Sequence, residues 1–174
     1  MDGVVSLLDT QHCQVLDRLR EELASHFDIH IAECPHISYQ VAEQYDLVAL
    51  RSAVGQLVHR RTSFQVVTAG LGCFTGAQPI VYIPVVRSSA LTELHQLVWQ
   101  TVDPLSSGAS PYYHPDCWIP HITLTYEHLT PAQLADLAHC LGDRCFNWTI
   151  TLNNLSLLCN DGVEQWQFGC REKS

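Results

Sequence analysis

With 174 residues, 47% of them hydrophobic and 16% charged, the chain has the makeup of one globular unit, and no run approaches the roughly 18 uninterrupted apolar residues of a membrane span. Nine Lys and Arg stand against eighteen Asp and Glu, a formal net charge of −9. That balance does not supply the basic stripe that grips long duplex nucleic acid by its phosphates, and it favours a small or short phosphorylated ligand. The eight cysteines, at 13, 34, 73, 117, 140, 145, 159 and 170, lie mostly in apolar segments, and Met1-Asp2-Gly3-Val4 carries no basic leader. The expectation is a cytosolic protein with reduced, packing cysteines.

Gly3 to Leu8 reads as a strand, with Asp9 or Thr10 capping a helix that carries Leu16, Leu19, Leu23 and Phe27 at helical spacing. Residues 28–33 read as a connection with room for a short strand, and Pro35 to Gln40 as a strand. Leu47, Leu50, Val54, Leu57 and Val58 mark a second amphipathic helix ending in His59-Arg60-Arg61, where cations suit the C-terminus. Ser63 to Phe74 reads as one strand bending at Gly70 or Gly72, with a turn at Gly76 and a partner from Ile80 to Val86. Pro84 argues that this partner is an edge strand or carries a bulge. A helix follows over about 90–100, with Leu91, Leu94 and Leu97/Val98 inward. Residues 103–116, with three prolines and three serines, form a long loop carrying Tyr112, Tyr113 and His114. Trp118 to Tyr126 reads as a strand, and Thr130-Pro131-Ala132-Gln133 as a capping box opening a helix that ends at Gly142. Phe146 to Leu158 reads as a strand, turned at Asn160-Asp161-Gly162 and returned by Val163 to Phe168.

One tetrapeptide occurs twice in this frame, as Pro35-His36-Ile37-Ser38 and Pro120-His121-Ile122-Thr123. Strand side chains alternate, so each imidazole shares a face with the hydroxyl two residues on, and each Ile points into the core. Gln40 and Thr125 would extend the two polar rows. The copies stand about half the chain apart, and each is followed by a helix, a strand, a turn and a strand at nearly the same spacing. The predicted fold is α+β: residues 1–174 as a single domain of duplicated β-α-β-β units starting near 35 and 120. The two units form pseudo-symmetric lobes of antiparallel sheet, with helices outside and both His rows facing a central cleft.

Two imidazoles across a ligand form an acid/base pair, because an ordinary pKa of about 6.5 lets one be neutral while the other is protonated. In-line displacement at phosphorus needs both: a base for the attacking water or hydroxyl, an acid for the departing oxygen. Ser38 and Thr123 would donate to the non-bridging oxygens as charge builds there. No metal is needed, and the chain has neither a carboxylate cluster nor a Gly-rich phosphate loop. A lone strand His is usually just satisfied or exposed; the repetition is what lifts these two. Zinc is the rival chemistry, since His114, Cys117 and His121, with Cys34 or His36, put ligand-type residues close together.

With both motifs in view, the chain resembles the 2H (two-histidine) phosphoesterases, in their 2′-5′ RNA ligase-like and cyclic nucleotide phosphodiesterase branch, marked by two His-x-Thr/Ser-x motifs. Here these are His36-Ile37-Ser38-Tyr39 and His121-Ile122-Thr123-Leu124. The resemblance implies a bilobal α+β fold and metal-independent chemistry on 2′,3′-cyclic phosphates or 2′-5′ phosphodiesters of nucleotides or short RNA ends. It carries over His36 and His121 as the acid/base pair, in either order, and Ser38 and Thr123 as phosphate ligands. Ser38 departs from the more usual Thr, keeping the hydroxyl but losing the methyl that holds its rotamer. Tyr112, Tyr113 and Trp118 are stacking candidates for a base, with loop packing as the competing role. Tyr39 falls on the Ile37 face and belongs to the core, while Arg87 and Arg144 are candidates for a terminal phosphate. No cofactor and no membrane are expected, and the partner is a small nucleotide or short RNA end bound by a monomer. A catalytically silent nucleotide-binding module on the same fold is the alternative.

Overall fold

A side chain marks the start of every described α-helix. Asp9 accepts the His12 N–H ahead of α1 (Thr10–His26), and Asp46 accepts the N–H groups of Val48 and Ala49 ahead of α2 (Leu47–His59). Ser88 accepts the Leu91 N–H ahead of α3 (Ser89–Val102), and Thr130 and Gln133 form the expected capping box on α4 (Pro131–Leu141). Each cap satisfies donors that the first turn leaves without a helical partner. The computed structural model describes residues 1–27, 30–31, 34–126 and 129–169. Most of the predicted 28–33 connection lies outside these residues.

The strands are β1 (Asp2–Leu7), β2 (His30–Ile31), β3 (His36–Ala42), β4 (Gln44–Tyr45), β5 (Phe64–Val67), β6 (Gly72–Phe74) and β7 (Ile80–Pro84). They continue as β8 (Ser106–Ser107), β9 (His121–Thr123), β10 (Thr125–Tyr126), β11 (Thr149–Leu152), β12 (Asn154–Cys159) and β13 (Gly162–Gln167). The fold is α+β and its strand pairs are antiparallel, as the sequence predicts. One sheet runs β13-β12-β1-β3 and another β6-β7-β9. Around the second, β5 pairs with β11, β10 with β2, and Thr68 bridges Val85. Helices α2 and α3 pack on each other, α2 against β12 and β13 and α3 against β3.

The repetition of element order reaches further back than the motifs. A strand and a helix, β1-α1, precede β3 and α2, just as β7-α3 precede β9 and α4. The backbone repeats this in detail: Leu8, just past β1, donates its N–H to Pro35 O at 3.2 Å, and Val85, just past β7, to Pro120 O at 2.9 Å. The strands that follow α2 and α4 cross over. Strand β6 joins the sheet of the second motif, with β5 paired to β11 beside it, whereas β12 and β13 join the sheet of the first.

That crossing corrects two expectations. Residues 146–158 are not one strand; β11 pairs with β5 and β12 with β1. At the switch the buried Asn154 carboxamide accepts the Leu7 N–H and donates to Leu7 O, each at 2.9 Å, in place of a backbone ladder. The sequence shows no break there because both strands are apolar and buried on either side of it. Likewise 63–74 splits into β5 and β6 around Gly70, whose φ of 69° is the left-handed backbone glycine takes without strain. Strand β7 lies between β6 and β9, so Pro84 marks the end of an inner strand rather than a sheet edge or a bulge. Ile37 and Ile122 are buried with Leu16, Leu50, Leu91 and Leu124 in the common core. Such burial is worth about 1.5–3 kcal/mol per side chain and fixes which face each motif strand presents. No described helix is long and apolar enough to cross a membrane.

Candidate active site

Strand β3 pairs with β1 in a register that sets His36 opposite Leu7 and Ser38 opposite Val5. Both remain partly accessible while Ile37 between them is fully buried. After Ser38 the register shifts, and Tyr39 and Gln40 both turn inward. Gln40 therefore leaves the polar row; its carboxamide donates to Asp103 at 3.2 Å. The second motif breaks at the same place. Leu124 donates its N–H to Val81 O at 2.9 Å, and the buried Thr125 hydroxyl accepts the Val81 N–H at 3.2 Å. Both rows are thus cut to one imidazole and one hydroxyl, because each strand bends where a third polar group was expected.

The two imidazoles are held identically. His36 Nδ1 lies 2.7 Å from Cys34 O, and His121 Nδ1 lies 2.7 Å from Ile119 O, the carbonyl two residues earlier in each case. A carbonyl can only accept, so Nδ1 carries the proton in both rings and Nε2 is left for chemistry. Cys34 adopts φ 51°, a left-handed backbone that costs a non-glycine residue about 1 kcal/mol, at the carbonyl that orients His36. Burial pushes both imidazoles below their ordinary pKa, opposed by these backbone bonds; at His36 the positive charges of Arg20 and of His121 push in the same direction as burial. Each histidine is therefore within electrostatic reach of a proton on the other, and strands β3 and β9 lie against each other.

Around His121 the structure gathers two residues that sequence reasoning missed. Phe74 meets its ring edge-on at 5.0 Å and Tyr82 at 5.1 Å, and the two aromatics stack on each other at 4.2 Å. Tyr82 stands opposite Thr123 in the β7-β9 register, so it shares that residue's face. Gly72 makes room for it: a Cβ there would lie 2.5 Å from the Tyr82 ring. The turn at Gly76 signals the pairing of β6 with β7, but no turn or pattern specifies the β7-β9 pairing that sets both aromatics against His121. Arg20 of α1 was missed as well. It is 5% exposed, and its Nη2 donates to Thr123 O at 3.2 Å.

The other predicted residues are placed as follows. Trp118 is 3% exposed, stacked at 3.8 Å and 6° on His95, with its Nε1–H donated to Ser38 O at 2.9 Å. Its ring is core, closed to a base, and it braces the first motif strand, so the packing role holds in place of the stacking one; β9 begins only at His121. Tyr113 packs against the core and its carbonyl accepts from His95 Nε2 at 3.0 Å. Tyr112 is 80% exposed. Arg87 is engaged with the loop, donating to Pro115 O at 2.7 Å, and Arg144 pairs with Glu22 of α1. Tyr39 is in the core as expected, its hydroxyl 2.8 Å from that of Ser6. The zinc alternative finds no support in the geometry: among the described residues no three His, Cys, Asp or Glu side chains converge on one point.

Likeness to known proteins runs the length of the chain. The family model of the 2′-5′ RNA ligase superfamily matches residues 8–164. Among solved structures the fold is similar to that of TT0787 from Thermus thermophilus, with a TM-score of 0.63 and 13% identity over 97% of each chain. It is also similar to that of Escherichia coli LigT complexed with 3′-AMP, with a TM-score of 0.63 and 14% identity over 97% of this chain and 98% of that one. No curated protein matches the sequence at significant similarity. Two His-x-Ser/Thr strands and a family match over nearly the whole chain lead to one statement: this protein belongs to the 2′-5′ RNA ligase superfamily.

Proposed function

We propose that this chain is a metal-independent phosphodiesterase, acting on 2′,3′-cyclic phosphates or 2′-5′ phosphodiesters of nucleotides or short RNA ends. Superfamily membership supports a phosphoesterase-type enzyme. The observation that carries the finer reading is the matched pinning of the two imidazoles, each with Nδ1 bonded to a carbonyl at 2.7 Å and Nε2 left open. One neutral Nε2 takes the proton of the incoming water or hydroxyl; the other, protonated, gives one to the departing oxygen. Because each positive charge disfavours the other, the pair holds one proton more readily than two, which is the state this chemistry needs. The hydroxyls of Ser38 and Thr123 sit on the same faces as their histidines and hold the non-bridging oxygens.

LigT has been crystallised with 3′-AMP and with phosphate, which supports a small nucleotide as ligand here. We assign the base to the Phe74–Tyr82 stack beside His121, with the exposed Tyr112 as a second candidate. The same reading has the protein working in the cytosol as a monomer. The test is turnover of the four 2′,3′-cyclic nucleotides and a 2′-5′-linked oligoadenylate in excess chelator by the wild type, His36→Ala and His121→Ala. Chelator-insensitive turnover that falls about 10²-fold or more in each variant is expected. Its acid limb should lie below the ordinary imidazole value, since the base must be neutral and its pKa is lowered. A folded wild type that binds these nucleotides without turning any over would point to the silent binding module instead.

A further inference from the structure

Three exposed apolar side chains adjoin one another beside the second motif. Just past β7, Val85 is buried and Val86 exposed, and the neighbouring segments are in step with them. Thr68 bridges Val85, Val86 donates its N–H to Val67 O at 2.7 Å, and Val85 donates to Pro120 O at 2.9 Å. One step further along that register Ile119 stands beside Val86, and Thr149 of β11 closes the row beside Val67. Val67, Val86 and Ile119 are 46%, 48% and 50% exposed. Scattered exposed apolar residues are ordinary, but three in one cross-strand row, with neighbours about 5 Å apart, form a patch. The patch lies on the face of His121: Ile119 is two residues before it, and Val86 two after Pro84, its cross-strand partner. Residues two apart share a strand face at a spacing of roughly 7 Å, and Thr123 and Tyr82 stand at the same step on the other side. His121 is thus flanked by the Phe74–Tyr82 stack and, opposite, by the Ile119–Val86–Val67 row, which holds no Lys or Arg for a second phosphate.

In-line displacement places the attacking and departing oxygens on opposite sides of phosphorus. Hydrolysis of a 2′,3′-cyclic mononucleotide fills one of those sides with water, which gains nothing from an apolar surface. A 2′-5′-linked dinucleotide carries a second nucleoside there. We infer that the Ile119–Val86–Val67 row is the subsite for the second nucleoside of a 2′-5′ phosphodiester, so that the chain acts on linked nucleotides in preference to cyclic mononucleotides. The inference rests on the phosphodiesterase reading. Water or the adjoining sugar hydroxyl attacks phosphorus and the P–O bond to the second nucleoside breaks; one histidine takes the attacking proton and the other gives its proton to the departing oxygen.

The test compares kcat/KM on 2′-5′-linked adenylyl-adenosine and on 2′,3′-cyclic AMP in the wild type, in Val67→Thr/Val86→Thr and in Val163→Thr. Threonine keeps the branched shape and the strand preference while replacing one methyl with a hydroxyl. Val163, on β13, is 50% exposed and serves as the control outside the row. The wild type should favour the dinucleotide, and that preference should fall about tenfold in the double variant, through KM, while Val163→Thr keeps it. A wild type that favours the cyclic nucleotide would overturn the inference. So would a preference unmoved in the double variant, and a dimer that this variant dissolves would then assign the patch to a second copy of the chain. A wild type without turnover on either compound would sink the phosphodiesterase reading, and titration with the dinucleotide would still decide the subsite: affinity about tenfold weaker in the double variant upholds it, and equal affinity overturns it.

Discussion

Lowering the pH should unfold this protein through a histidine that takes no part in the proposed chemistry. His95 is 0% exposed, and its Nε2–H is shared between Tyr39 O at 3.1 Å and Tyr113 O at 3.0 Å. Its Nδ1 is buried without a hydrogen-bond partner among the described residues, and one face of the ring is covered by Trp118 at 3.8 Å. A second proton would therefore enter an apolar site with no acceptor, and burial lowers the pKa to about 4 from an ordinary 6.5. The sign follows from linkage: above pH 6.5 folded and unfolded states both carry a neutral ring, and as pH falls toward 4 only the unfolded state takes up the proton. At about 1.4 kcal/mol per unit the full loss is about 3 kcal/mol, of which about 2 kcal/mol has gone by pH 5. Urea unfolding at pH 7.5 and pH 5 measures it, with His95→Gln as the control that keeps a donor but cannot titrate. The wild type should lose about 2 kcal/mol more than the variant across that interval. Equal losses in the two proteins would refute the argument, because every other titrating group is common to both.

Two substitutions probe how the motif strands are braced. Trp118→Phe keeps a ring against His95 but removes the donor to Ser38 O; it should cost about 1 kcal/mol in urea unfolding and raise KM more than it lowers kcat, since a phosphate ligand is loosened rather than removed. Gly72→Ala drives a methyl into the Tyr82 ring, so Tyr82 must move away from His121; a roughly tenfold fall in kcat/KM with a small change in stability is expected, and an unchanged kcat/KM would show that the Phe74–Tyr82 stack does not touch substrate.

The two His-x-Ser/Thr strands were legible because strand alternation is a local rule: His and hydroxyl on one face, Ile on the other, follows from three residues and needs no knowledge of the partner strand. Helix starts were legible for the same reason, down to the capping box at Thr130. What escaped depends on pairing between distant segments. The inward turn of Gln40 comes from a shift of register against β1, and the nearness of Phe74 and Tyr82 to His121 comes from the β6-β7-β9 pairing. Trp118 read as a candidate for stacking a base because nothing local reveals that His95, more than twenty residues earlier, lies flat against it. Arg20 was invisible for a simpler reason: on a helix with Arg18 and Glu21 nearby, one more charge reads as part of the solvated face.

The crossed topology explains why a site drawn from two units can be precise. If each unit had closed its own sheet, the two His rows would sit on separate bodies joined only by a linker, free to shift against each other. Instead β12 and β13 complete the sheet of the first motif, β6 extends the sheet of the second, and β5 pairs with β11 across the halves. Strand β3 pairs directly with β1 and β9 with β7, and each of those sheets is then completed by strands from the segment that follows the other motif. The side-chain braces follow the same rule, with Arg20 reaching from α1 to Thr123 and His95 from α3 to Tyr39. Displacing one histidine relative to the other would break backbone ladders, a buried cation's hydrogen bond and the Asn154–Leu7 pair together. The proposed acid/base chemistry, with one imidazole on the attacking oxygen and the other on the leaving one, needs its geometry held closely. Here that constraint is met by interlocking the halves rather than by a large interface between them.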